Sequence, residues 1–131
     1  MLEQFPVHAS VAASDIDRAR TWYKEKLGLE PRKTDPGGGM WFEFAGGTWL
    51  YVYASGAAGT AQNTVAGWTV KGIESVMAGL RSRGVVFEEY DFPGGLKTVK
   101  GLAIWDGVAK AAWFKDSEGN TFELSEVLGG G

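Results

Sequence analysis

Few residues in this chain can do chemistry. Cysteine is absent, which removes thiol nucleophiles, disulfides and zinc ribbons together. His8 is the single histidine, so no pair of imidazoles can share an ion. Serine, histidine and aspartate all occur, but no serine sits on the strand-to-helix turn that exposes a nucleophile. Gly37-Gly38-Gly39 and Gly94-Gly95 do not run from a strand into a helix, so they read as flexible loops and not as phosphate cradles. Carboxylate chemistry remains. Glu123 lies in Thr121-Phe122-Glu123-Leu124-Ser125, whose alternation turns Phe122 and Leu124 to one face and Glu123 to the other. Glu43 lies between Phe42 and Phe44 in an aromatic strand. A carboxylate in an apolar cup can have the raised pKa that general-acid work needs.

The aromatic share is 13%, high for a chain of 131 residues, and implies a bulky core, an aromatic-lined cavity, or both. Trp41, Phe44, Trp49 and Tyr51 belong to this set, as do Tyr53, Trp68, Trp105 and Trp113. Strand alternation cannot bury all of them under two helices. Thirteen basic and sixteen acidic residues give a net charge of −3 with no basic stripe, which argues against nucleic acid as a partner. No apolar run approaches the roughly 18 residues of a membrane span. The first residues, MLEQFPVHAS, have neither a basic start nor an apolar stretch of the secretory kind. A single soluble, cytoplasmic domain is expected over residues 1–131.

The elements that must position these groups come in a repeated order. Val7 to Ala13 is β-compatible, and Ser14-Asp15-Ile16-Asp17 opens a helix, with Ser14 as cap and the two aspartates at the positive end of the dipole. Ile16, Ala19, Tyr23 and Leu27 share one helical face, and Gly28 follows as the C′ residue. This predicts a helix over 15–27. Leu29 to Lys33 reads as a brief strand, Asp35 to Gly39 as a turn or mobile loop, and 40–45 with 48–54 as a hairpin across Gly46-Gly47. Residues 55–61 are linker-like. Then a strand over 63–71, a helix over 73–83 ending at Gly84, and a strand over 85–90 repeat the order. A turn at 92–95, a long connection over 96–107 with room for a short strand, and the hairpin of Trp113-Phe114 with Thr121 to Ser125 close the chain. Asp15-Ile16-Asp17 running to Gly28 matches Gly72-Ile73-Glu74 running to Gly84, and Trp41-Phe42 … Thr48-Trp49 matches Trp113-Phe114 … Thr121-Phe122. The expected fold is α+β: two tandem βαβββ modules with pseudo-twofold symmetry, over about 5–54 and 62–127, forming a curved, cup-shaped mixed sheet. With one helix per module, only one face of each sheet can be covered. The other is free to curl around a ligand.

Val7-His8 … Ser14-Asp15-Ile16-Asp17-Arg18-Ala19 … Trp22-Tyr23 … Leu27-Gly28-Leu29 resembles the opening module of the vicinal-oxygen-chelate superfamily of glyoxalases, bleomycin-resistance proteins and extradiol dioxygenases. Trp113 to Leu124 (WFKDSEGNTFEL) resembles its closing hairpin. The resemblance covers about residues 5–127 and implies paired modules curved around a cavity, and a homodimer. In the metal-using members each module gives two ligands to one divalent ion, from its first and last strands. By position these fall on His8 and Glu123, which suit a metal, and on Leu50 or Tyr51 and the neighbourhood of Val65, which do not. Two of four are kept, so a divalent transition metal is expected to be held weakly if at all.

The resemblance leaves two functions. One is a binding protein of the bleomycin-resistance kind, taking a planar or aromatic small molecule in the cup. The other is a glyoxalase-like lyase or isomerase in which His8 and Glu123 act as acid and base or as partial metal ligands. Ser10, Trp41, Glu43 and Leu50 are the expected ligand contacts from module one, together with Tyr51. Trp68, Trp105 and Trp113 are those from module two.

Overall fold

The computed structural model describes residues 1–129. Among the described residues, apolar alternation and glycine placement produce eight strands and two α-helices. Module one contains β1 (Ala9–Ala13), α1 (Ile16–Trp22), β2 (Lys33–Thr34), β3 (Met40–Phe44) and β4 (Thr48–Ala54). Module two contains β5 (Thr64–Thr69), α2 (Ile73–Ser82), β6 (Ala103–Trp105), β7 (Ala109–Lys115) and β8 (Thr121–Val127). The two sheets have the same topology, β1-β4-β3-β2 and β5-β8-β7-β6. In each, the first strand pairs parallel with the last, and the remaining contacts are antiparallel. This is the expected α+β duplication, with β1 alongside β5.

Both helices cover the same side. Val11, Phe42, Leu50 and Val52 from the first sheet, with Ala112, Phe114, Phe122 and Leu124 from the second, form one core with Tyr23 of the first helix and Ile73 and Met77 of α2. The first helix continues from α1 through a wider turn, Tyr23–Leu27, and stops at Gly28 with φ 69°. Leu29 N–H then bonds back to the Tyr23 carbonyl, the C-terminal pattern that favours glycine at this position.

Three local readings are corrected. Asp15, not Ser14, caps the first helix: its carboxylate accepts from Arg18 N–H at 3.0 Å. Ser14 instead donates its hydroxyl to Glu118 at 3.1 Å. The strand expected over 29–33 shrinks to Lys33–Thr34, since Pro31 has no N–H to give a ladder. Residues 85–90 do not form a strand. They touch β7 by one bridge, Phe87 to Phe114, and by Glu88 N–H on the Trp113 carbonyl. The chain then leaves the sheet because Glu89 accepts from the Thr98 hydroxyl and Gly101 N–H, and Tyr90 N–H bonds Thr98. The edge place goes to β6, inside the long connection.

The turn Asp116–Asn120 is buried, not solvated. Asp116 accepts from the Tyr23 hydroxyl at 2.7 Å and from Glu118 and Asn120 N–H at 2.9 Å each. Asn120 donates to the Ala12 carbonyl at 2.7 Å. Glu118, its side chain fully buried, accepts from Asp15 N–H and from Arg18 Nε, both at 2.9 Å. The Arg18 guanidinium, with Asp15 N–H and the Ser117 and Ser14 hydroxyls, holds the Glu118 carboxyl at a pKa of about 2 although burial opposes it. Six side chains, Ser14, Arg18 and Tyr23 from module one and Asp116, Glu118 and Asn120 from module two, thus lock module two onto β1 and the first helix.

Candidate functional site

Alternation in β3 and β4 sends Phe42, Leu50 and Val52 to the core and Trp41, Trp49, Tyr51 and Tyr53 to the face away from the helices. His8 joins that face at the start of β1. Its ring lies edge-on to Trp41 at 5.0 Å. Trp41 stacks on Tyr51 at 4.3 Å, and Tyr51 on Tyr53 at 5.8 Å. Lys33 Nζ lies 5.3 Å from the Trp41 ring and 5.4 Å from Trp49, a cation over two π faces. The Asp35–Gly39 loop is an ordered turn, closed by Asp35 N–H on the Gly39 carbonyl at 2.7 Å. It presents the Asp35 carboxylate to the Trp41 indole N–H and the Tyr51 hydroxyl, and that bond to Asp35 raises the Tyr51 pKa.

A cleft of about 590 Å³ opens where this face meets module two. The start of β1 with His8, the β3–β4 hairpin from Phe44 to Leu50, and β5 from Ala66 to Thr69 form its walls. The hairpin turns through Gly46 and Gly47, both with φ 74°, a conformation that glycine adopts without strain. On β5, Gly67 is paired with Glu123, and a Cβ there would lie 2.7 Å from the Glu123 carbonyl oxygen. Glycine is required for β5 to approach β8.

The sequence-predicted residues divide accordingly. His8, Leu50 and Trp68 line the cleft, Leu50 from a position 3% exposed and facing the core. Of the two registers open at this strand, Tyr51 is therefore the residue on the outer face. Trp41 and Tyr51 stand behind His8, and Ser10 is the Tyr51 neighbour on β1. Glu43 forms an ion pair with Arg32 at 3.2 Å. Trp113 is 8% exposed, under a roof of Tyr90 and Leu96, and Trp105 is at the edge strand, 45% exposed. Glu123 is half-buried on β8 and does not line the cleft that His8 lines. Trp49, Phe44 and Gly67 are walls that sequence reasoning did not name as contacts. The hairpin glycines between two aromatic strands were the available signal for the first two.

Of the four positions that the resemblance assigns to a metal, only His8 and Glu123 carry a suitable donor. Tyr51 and Leu50 occupy one, and Val65 sits at a bulge in β5 at another. Among the described residues no group of three or more His, Asp or Glu side chains converges. The donor set does not fit a tightly held divalent ion. No helix among the described residues is long and apolar enough to cross a membrane.

Two sheets of identical βαβββ topology, joined along their first strands with an aromatic cleft at the junction, define a glyoxalase-fold protein. The chain belongs to the Glyoxalase/Bleomycin resistance protein/Dioxygenase superfamily, whose pattern matches residues 6–124. Its fold is similar to that of a glyoxalase/bleomycin resistance protein from Catenulispora acidiphila, with TM-score 0.69 and 21% identity over 94% of this chain and 98% of the other. It is similar also to TnmS3, an antibiotic binding protein from a Streptomyces species, with TM-score 0.67 and 21% identity over 94% and 95%. The fosfomycin resistance protein FosX of Listeria monocytogenes gives TM-score 0.65 and 15% identity over 95% and 90%. No functionally curated protein matches the chain.

Proposed function

We propose that this protein binds a planar or aromatic small molecule in the cleft between His8, the β3–β4 hairpin and β5, without a tightly held metal. The observation that carries this is the cleft itself: about 590 Å³, walled by Phe44, Trp49 and Trp68, with one imidazole at its lip. That volume and mostly apolar lining are those of small-molecule pockets, and the sparse polar groups suit orientation more than catalysis. The antibiotic-binding relative makes sequestration a coherent role. The same reading has the protein acting in the cytoplasm as a homodimer, which sedimentation at micromolar concentration tests.

A library of planar aromatics screened by tryptophan quenching and thermal shift is the experiment. A hit at 100 times its dissociation constant should add about 2.7 kcal/mol of stability. Trp49→Ala and His8→Ala should each weaken it. Hits that bind equally well to both variants would place the site elsewhere. Turnover of any hit that falls by roughly 10²–10⁴-fold in Glu123→Gln, with binding kept, would favour the lyase or isomerase reading instead.

A further inference from the structure

A second cavity, about 290 Å³, lies on the helix side of the sheets. Its walls are Leu27 and Leu29 from the end of the first helix, Val76 and Leu80 from α2, and Phe114 and Leu124 from the second sheet. Thr69 and the Trp68 indole supply its only polar side-chain groups among the described residues. It is not separate from the cleft already described: Phe44, Trp68 and Thr69 line both. Phe44 and Trp68 meet edge to face at 5.7 Å, and both are partly exposed. The pair is therefore the wall common to a cleft with a polar lip and a solvent-open pocket that is almost wholly apolar.

We infer that the ligand is an amphiphile: a planar head in the outer cleft and a hydrocarbon tail laid across the Phe44–Trp68 pair in the apolar pocket on the helix side, the inner pocket. This rests on the proposed binding function and specifies its ligand class. The two chambers differ in chemistry in the same order as the two ends of such a molecule. His8 and the Trp49 indole stand at the outer chamber, and leucine, valine and phenylalanine line the inner one. A short planar compound would leave the inner walls in contact with water, whereas a tail removes that apolar surface from it.

The test is a series of 4-alkylphenols, methyl to octyl, titrated by tryptophan fluorescence and calorimetry. Each added methylene should tighten binding about three- to four-fold until the inner pocket is full, and the gain should then stop. Leu80→Trp, or Val76→Phe if that variant folds poorly by circular dichroism, should flatten the chain-length slope and leave 4-methylphenol bound as in wild type. Trp49→Ala should weaken every member by the same factor. Short phenols that bind with no chain-length dependence would overturn the amphiphile inference and leave the cleft reading intact. A slope that survives Leu80→Trp and Val76→Phe, or that continues without a plateau, would also overturn it. A slope lost in those variants, with all affinities unchanged by Trp49→Ala, would assign binding to the inner pocket alone and defeat both readings. Binding of no member would defeat the inference, while the planar library tests the cleft separately.

Discussion

Replacing Glu118 by glutamine should destabilise the protein at neutral pH and hardly at all in acid. The carboxyl titrates at about 2 in the fold against an ordinary value of 4.5. That difference corresponds to about 3 kcal/mol. Arg18, the largest cause, has a side chain 54% exposed, so solvent screening lowers the expectation to roughly 2 kcal/mol. Because the folded pKa is depressed, the unfolded chain binds the extra proton between about pH 4.5 and 2. The stabilisation is complete above pH 4.5 and is lost as pH falls through that window. Glu118→Gln keeps an oxygen for Asp15 N–H but sets an amide beside the guanidinium. Urea unfolding followed by near-ultraviolet circular dichroism at pH 7, 4.5, 3 and 2.5 should show a gap of about 2 kcal/mol that closes below pH 4.5. For a chain of this length the gap is roughly 6–8 °C in Tm. Adding Arg18→Met to the variant should then cost little, because the pair is already broken. A gap that is the same at pH 7 and pH 2.5 would refute the assignment of the stability to Glu118 ionisation.

Tyr23→Phe removes the buried donor to Asp116 and should cost about 1.5–3 kcal/mol, read as a lower urea midpoint with an unchanged slope. Gly67→Ala drives a methyl against the Glu123 carbonyl oxygen and should cost about 1–3 kcal/mol in thermal unfolding; a neutral result would show that β5 can move aside. Glu126 accepts from Gly72 and Ile73 N–H, bonds that depress its pKa, so Glu126→Gln should speed hydrogen exchange at those two amides. Elemental analysis of the purified protein should find far less than one equivalent of any transition metal. A full equivalent of one would reject the metal-free reading.

Strand alternation made most of the fold legible. It placed Phe122 and Leu124 inward, and the matched spacings exposed the duplication. Gly28 and Gly84 marked both helix ends because few other residues take a positive φ there. The site was only partly readable. At Leu50 and Tyr51, laying one module on the other pointed to Leu50 and hydrophobic alternation to Tyr51; the structure turns Leu50 to the core and Tyr51 to the outer face. The roof over Trp113 escaped notice because Tyr90 and Leu96 belong to an irregular segment with no period to detect. The Asp116–Asn120 lock escaped for a related reason. Asp, Ser, Glu, Gly and Asn in a row signal a tight turn and nothing about burial, and their partners Ser14, Arg18 and Tyr23 are about a hundred residues away.

The duplicated halves are not equivalent in what they need. The backbone N–H groups at the start of the second helix are held by Glu126, a residue of its own module, whereas the first helix has its own Asp15 cap but the N–H of that cap residue is held by Glu118 of the other. During synthesis module one therefore emerges with its Asp15 cap made but the Asp15 N–H without Glu118 and the Tyr23 hydroxyl without Asp116. Both are supplied only when the penultimate strand and the turn after it have been made. Contacts that span so much chain slow folding and tie it to the last steps. A fragment ending at the linker would keep the Asp15 cap but lack Glu118 and Asp116, while module two carries the acceptor for its own helix start. If the chain arose by doubling a single unit, it is the second copy that keeps the acceptor for its helix start within itself.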